Sequence, residues 1–273
     1  MDRRTYLGGL ATAGLAGVAG CLDSVEDAVP LLGEEPGSGN WGDGETVLDT
    51  PTVDRGDPSH PIYGQEMPEF TLPDPISGET VDSRELEGDQ SYLLTFIFTQ
   101  CPDGACPALL LRLRRAYEDA RENGYEDDLA LLAMTFDPER DTPDVLEEYA
   151  GNHGVDPHAA NWHFLRPESY EEAEAVLYDD FGMRIERIDD PEEVEEHHAE
   201  HDHEDDHGDH GGEDDHDGHD EHGDGDDHDD YTFNHFNLIL LVNEHGVVER
   251  SYPGGDTVDT TRVVEDVRAV TGN

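Results

Sequence analysis

The run Tyr92-Leu93-Leu94-Thr95-Phe96-Ile97-Phe98 is unbroken in its aromatic and aliphatic character and is bounded by polar turns, so it reads as a buried strand. It ends abruptly in Thr99-Gln100-Cys101-Pro102-Asp103-Gly104-Ala105-Cys106-Pro107, which places two cysteines just past its carboxyl end. In open α/β sheets that edge is where ligands and chemistry collect. Pro107 marks a helix start, because proline in the first helical position has no N–H to leave unpaired, and Cys106 is then the expected N-cap. A thiol at that position is expected to have a lowered pKa and a larger thiolate fraction, the form that attacks disulfides and binds soft metals.

The periodicity of the rest supplies partners for this strand. Phe70 to Val81 suggests two short strands around a Ser77-Gly78 turn. After Pro107, an apolar stripe at Leu109, Leu113, Ala116, Tyr117 and Ala120 predicts a helix that stops at Asn123-Gly124. Leu129 to Phe136 is a second buried strand, and Thr142-Pro143 opens a helix running to about Gly151. Trp162 to Leu165 is a short strand candidate, and a helix is expected from about Glu168 to Phe181, with Gly182 as its stop. His235 to Val242 is another buried strand, Asn243 to Gly246 a hairpin turn, Val247 to Arg250 the return strand, and a last helix spans about Val258 to Val270. Strand–helix–strand–helix order implies a right-handed crossover and a parallel sheet. The expected class is α/β, a thioredoxin-like fold with a central mixed sheet flanked by helices.

Charge sets limits on partners. The 273 residues carry 69 acidic side chains against 15 basic ones, all arginine, for a formal net charge of −54. Nucleic acid is an unsuitable partner for such a surface, since phosphate binding requires the opposite sign. The acidity runs on through segments with clear apolar periodicity, a habit of proteins from extreme halophiles, where molar salt screens repulsion to about 3 Å. The charge therefore describes the solvent, not the substrate.

Domain organisation follows from breaks in pattern. Arg3-Arg4 before a short apolar stretch ending Val18-Ala19-Gly20-Cys21 reads as a Tat-type lipoprotein signal over 1–21, with Cys21 lipidated and the protein held on the extracytoplasmic face of the membrane. The stretch is too short and glycine-rich for a span of about 20 apolar residues. Residues 22–60 read as a flexible acidic tether in which Trp41 carries no signal, and 61–273 as the thioredoxin-like domain. Within it, 189–230 breaks all periodicity and is expected to be a disordered insertion rich in His, Asp and Glu. Ten of the sixteen histidines lie between His197 and His228, interleaved with carboxylates, a composition that binds divalent zinc, copper or nickel with little selectivity. The bland alternative is a solvated acidic loop.

Of three cysteines, Cys21 is consumed by the anchor, leaving Cys101 and Cys106 as a pair in an oxidising compartment. By residue chemistry alone the pair fits a structural disulfide, redox exchange or a metal site. His60, His153, His158, His163 and His245 read as surface or turn residues, and Met134 and Met183 as core. Asp103, Asp137, Arg140 and Asp141 are expected to cap helices and pair within loops near the thiols.

Three stretches resemble the Sco/SenC family of thioredoxin-like copper proteins, which help assemble the copper site of cytochrome c oxidase. They are Phe98-Thr99-Gln100-Cys101-Pro102-Asp103 with Cys106-Pro107, then Phe136-Asp137-Pro138-Glu139-Arg140-Asp141-Thr142-Pro143, and Asn234-His235 opening a strand after a long loop. The resemblance implies one copper ion on Cys101, Cys106 and His235, a set of soft thiolates and imidazole suited to copper. It implies as partner the terminal oxidase subunit that carries the copper site. One departure stands out: the family usually has three residues between its cysteines, and here there are four, with Gly104 able to absorb the extra one as a bulge. Thioredoxin-type reductases carry a cis-proline before the strand facing the thiols, and Tyr231 to Asn237 has none. The leading expectation is a lipid-anchored copper chaperone. The alternatives are a thiol-disulfide oxidoreductase that uses Cys101 and Cys106, with Cys101 attacking, or a metal buffer centred on the His-rich insertion.

Overall fold

The computed structural model describes residues 40–53, 55–189 and 231–272. The signal, Cys21, most of the tether and residues 190–230 of the insertion lie outside the described residues. A hairpin comes first, β1 (Thr71–Asp74) against β2 (Glu79–Asp82), followed by the one-turn helix α1 (Ser83–Leu86). The central strand β3 (Ser91–Ile97) is buried at all seven positions. It leads into α2 (Ala105–Asn123), β4 (Leu129–Thr135), α3 (Pro143–Asn152), β5 (Trp162–Leu165) and α4 (Tyr170–Ala175). Then come β6 (Glu186–Ile188), β7 (Thr232–Asn234), β8 (Leu238–Val242), β9 (Val248–Pro253) and α5 (Thr260–Val270).

Five strands form one mixed sheet in the order β5-β4-β3-β8-β9. β3, β4 and β5 are parallel, whereas β8 runs antiparallel to both its neighbours, β3 and β9. Because helices cover such a sheet on both faces, its strands read as continuous apolar runs instead of alternating ones, which is why β3, β4 and β8 were visible in the sequence. The α2 stripe is buried as expected at Leu109, Leu113, Ala116 and Ala120. Arg268 of α5 pairs with Asp119 of α2, which also accepts from Tyr125. The fold is the expected thioredoxin-like α/β class, and Met134 and Met183 are core residues.

Four expectations need correction. First, residues 40–53 are not a loose tether but are strapped to the domain. The buried Glu249 carboxylate accepts from the backbone N–H groups of Val47 and Leu48 at 2.7 and 2.9 Å, and Tyr63 Oη donates to the Leu48 carbonyl at 2.7 Å. Trp41 meets the Tyr63 ring edge-on, and a Cβ on Gly42 would fall 2.0 Å from the Gly64 carbonyl oxygen. A segment without periodicity gave no sign of this, because its partners are backbone groups, the Tyr63 side chain and one distant carboxylate. Second, the helix expected from Glu168 to Phe181 begins at Tyr170 under a Ser169 cap, and its last turn, Val176–Asp180, is a π-helix. Third, the strand expected from His235 begins only at Leu238, after a three-residue break. Fourth, His163 is no surface residue: its Nδ1 lies 3.3 Å from the buried Asp74 carboxylate, tying β5 to β1.

Candidate metal centre

Both ends of the centre are built by chain breaks past strand ends. After β3 the backbone passes Cys101 and reaches Gly104, which adopts a left-handed conformation (φ 72°, ψ 4°) as the N-cap of α2. Nothing lies within 4 Å of a Cβ built there, so the glycine serves the backbone angle and not a close approach. That angle permits the bulge expected from the fourth intervening residue. The helix therefore starts at Ala105, two residues earlier than Cys106 as cap would allow, and Asp103 accepts from the Ala105 N–H at 2.9 Å.

That shift decides the thiol chemistry. Cys106 lies inside the first turn, fully buried, and burial pushes its pKa well above the ordinary thiol value, with the neighbouring Cys101 adding to the effect. The expectation of an activated Cys106 is thus overturned, since loss of hydration outweighs the helix end. Cys101 is the low one, drawn down to about 7 by hydrogen bonding to the Cys106 thiol, by His235 and by the Cys106 backbone N–H, against opposing contributions from burial and Asp103. Its sulfur donates to Asp103 Oδ1 at 2.9 Å and accepts from the Cys106 N–H at 3.3 Å. Both cysteines are free thiols, Cys101 half-buried.

His235 enters from the break between β7 and β8. Its ring packs against Phe98 and Phe136, centroids 5.4 and 5.3 Å away, above a triad in which Phe98, Phe136 and Phe233 all meet at 5.2–5.3 Å. Phe236, the next residue, points to solvent. The ligand atoms of Cys101, Cys106 and His235 lie within 4.8 Å of one another, and these three form a group able to hold a metal ion among the described residues. His235 Nδ1 is buried with no hydrogen-bond partner. An imidazole beside two sulfurs fits a soft or borderline metal bound by S₂N donors.

The acidic motif supports the loop from beneath. Asp141, fully buried, accepts from the Thr99 N–H at 3.2 Å, from Thr99 Oγ1 at 2.5 Å and from Thr135 Oγ1, so one carboxylate closes the ends of β3 and β4. Burial raises its pKa to about 6. Asp137 accepts from Tyr231 Oη at 2.7 Å and Arg140 Nε at 2.5 Å. Thr142 caps α3 as expected, accepting from the Val145 N–H. The pairing roles expected of Asp103, Asp137, Arg140 and Asp141 are all present. Gln100, Arg187, Tyr231 and the phenylalanine triad were missed, although the alternation Tyr231, Phe233, His235 marks one face of a strand.

The sequence profile of the SCO1/SenC family matches residues 63–205, over half of the chain. The chain belongs to the SCO1/SenC family. A SCO2-like protein of Rickettsia typhi is 41% identical over 76 residues, 28% of this chain and 36% of that protein. The chain thus spans about a third of the length of the curated relatives it matches. Among solved structures, Bradyrhizobium japonicum ScoI with copper bound superposes with a TM-score of 0.50 at 19% identity, covering 76% of this chain and 99% of that one. BsSco, described as a member of the Sco family of cytochrome c oxidase assembly proteins, gives 0.51 at 20% identity, covering 79% and 98%. At such identities these two structures establish the shared fold.

Proposed function

We propose that this Sco/SenC protein is a lipid-anchored, extracytoplasmic copper chaperone that binds one copper ion at Cys101, Cys106 and His235 and delivers it to the copper site of cytochrome c oxidase. The convergence of two thiols and an imidazole at one point, from chain segments about 130 residues apart, carries the reading. Copper is the cargo. The chain contributes a half-exposed thiol at Cys101 for the incoming or outgoing ion, a buried thiol at Cys106 that holds it, and a histidine backed by aromatic rings that exclude water from one side. A known family member with copper bound, ScoI of Bradyrhizobium japonicum, supports the choice of metal. The Cys21 anchor and extra divalent metal binding in the His-rich insertion belong to the same proposal.

The test is copper stoichiometry and Cu(I) affinity, measured in high salt, for a chain lacking 190–230 and for its His235→Ala derivative. One tight site that weakens on loss of His235 is expected. Equal Cu(I) affinity in the two proteins would refute the assignment of His235. The thiol–disulfide oxidoreductase reading is favoured by one observation, the low pKa of Cys101 beside a buried second thiol. Disulfide reduction that survives His235→Ala would support it.

A further inference from the structure

We propose that Arg140 is the positioning residue of this centre: with Arg187 it clamps Tyr231 and so fixes where His235 stands relative to the thiols. The inference rests on the copper reading above but concerns residues that touch no metal.

Arg140 reaches both halves of the site. Its Nε donates to Asp137 Oδ2 at 2.5 Å. Its Nη1 donates to the Tyr231 carbonyl at 2.7 Å and to Gln100 Oε1 at 3.2 Å. Gln100 adjoins Cys101, and Tyr231 begins the segment that ends at His235 four residues later. One guanidinium therefore links the cysteine loop to the histidine strand. Its plane also stacks on Tyr231, with Cζ 3.6 Å from the ring centroid. Arg187 lies at the same 3.6 Å from that centroid, and since two planar cations cannot share one face at this range, they sandwich the ring.

Two cations on one ring repel, so the arrangement needs anions, and they are present. Arg187 donates to Glu139 Oε2 at 2.7 Å and to Asp189 Oδ1 at 2.6 Å. Asp137 receives both Arg140 and the Tyr231 hydroxyl, closing a circuit from β4's end to the ring's far tip. Arg140 is mostly covered, its side chain 17% exposed, so these contacts escape much of the screening that weakens surface pairs.

The clamp matters because backbone pairing holds β7 weakly and the buried Phe233 anchors only its middle. Among the described residues that strand pairs only with β6, through three residue pairs in a sheet separate from the central one, and the strand pattern is interrupted from His235 to Asn237 before β8. Three pairs at an edge fix register but resist tilting weakly. A ring held on both faces, at its hydroxyl and at its carbonyl, cannot tilt, so the aromatic alternation Tyr231–Phe233–His235 transmits a fixed orientation to the imidazole. The role demands arginine: lysine keeps the charge but offers neither a plane to stack nor donors fixed in a fork.

The test compares the full chain with its Arg140→Lys, Arg187→Gln and His235→Ala variants. Cu(I) affinity is read by chelator competition, the Co(II)-substituted absorption spectrum reports the donor set, and amide hydrogen exchange is followed in the metal-free protein. For Arg140→Lys the expected result is a Cu(I) affinity lowered about 10- to 100-fold, the usual effect of removing support behind a metal ligand, with a Co(II) spectrum that converges on that of His235→Ala. Amides of Thr232–Asn234 should exchange faster while those of β3 and β4 keep their protection, and Arg187→Gln should move every readout the same way by less. Arg140→Lys with Cu(I) affinity within twofold of the parent and an unchanged spectrum overturns the proposal, whether or not exchange at β7 quickens. If His235→Ala itself leaves Cu(I) affinity unchanged, the copper reading fails, and the exchange of Thr232–Asn234 still decides whether the clamp holds β7.

Discussion

Cys101 should be the faster thiol, and its rate should rise through neutral pH. With a pKa of about 7 it is half thiolate at pH 7, whereas a thiol at the reference value of 9.0 is about 1% thiolate, a gain of roughly 50-fold in the reactive form. Intrinsic nucleophilicity falls as pKa falls, with a Brønsted slope of about 0.45, so a drop of two units gives back roughly 8-fold. The net expectation is a rate about 6-fold above an ordinary accessible thiol at pH 7, levelling off above pH 8. Cys106, buried and raised, should not react until Cys101 has done so. The assay is reaction of the metal-free protein with a neutral dipyridyl disulfide across pH 5 to 9, with the labelled residue found by mass spectrometry. His235→Ala should move the midpoint upward and Asp103→Asn downward, because the histidine favours the thiolate and the aspartate opposes it. A midpoint above about 8.5, or first labelling at Cys106, would refute the electrostatic account of the centre.

Three further outcomes follow from the packing. Asp141 has its carboxyl pKa raised by burial from 3.8 to about 6, so the folded state binds the extra proton and stability falls as pH rises between those values, by about 3 kcal/mol in all; Asp141→Asn should abolish that slope, measured as the difference between the two proteins' denaturation free energies from pH 4 to 7 in high salt. Gly104→Ala should lower stability by about 1 kcal/mol, since φ is +72° with no steric clash, and should slow copper loading more than it alters the apo fold in circular dichroism. Glu249→Ala removes the acceptor for two strap N–H groups and should expose 40–53 to limited proteolysis while leaving Cu(I) affinity within twofold; continued protection would mean that the aromatic contacts of Trp41 and Tyr63 suffice.

The thiol pair, the strands behind it and the acidic motif were legible because each is local. Seven consecutive apolar residues at β3, a stripe of period 3.6 on α2 and a Thr142-Pro143 cap each state their element without reference to the rest. His235 was reached only through the family resemblance, since a lone histidine before an apolar run has no local signature. The clamp was illegible in a different way. Asp137 and Arg140 sit in one motif, but their partners Tyr231 and Arg187 flank an insertion whose low complexity erased the register between them.

By itself the sequence determined the class of fold, the two sulfurs and their place at a strand's carboxyl end, because hydrophobic periodicity and turn chemistry act over a few residues. Only the tertiary structure decided between Cys106, favoured by its expected place at the helix end, and Cys101, the attacking thiol of the oxidoreductase alternative. With a left-handed glycine as cap, the helix starts at Ala105 instead of Pro107, the second thiol is buried and the first stands beside an imidazole. Desolvation and the approach of charges depend on what surrounds an atom in space, and chain order does not contain that information.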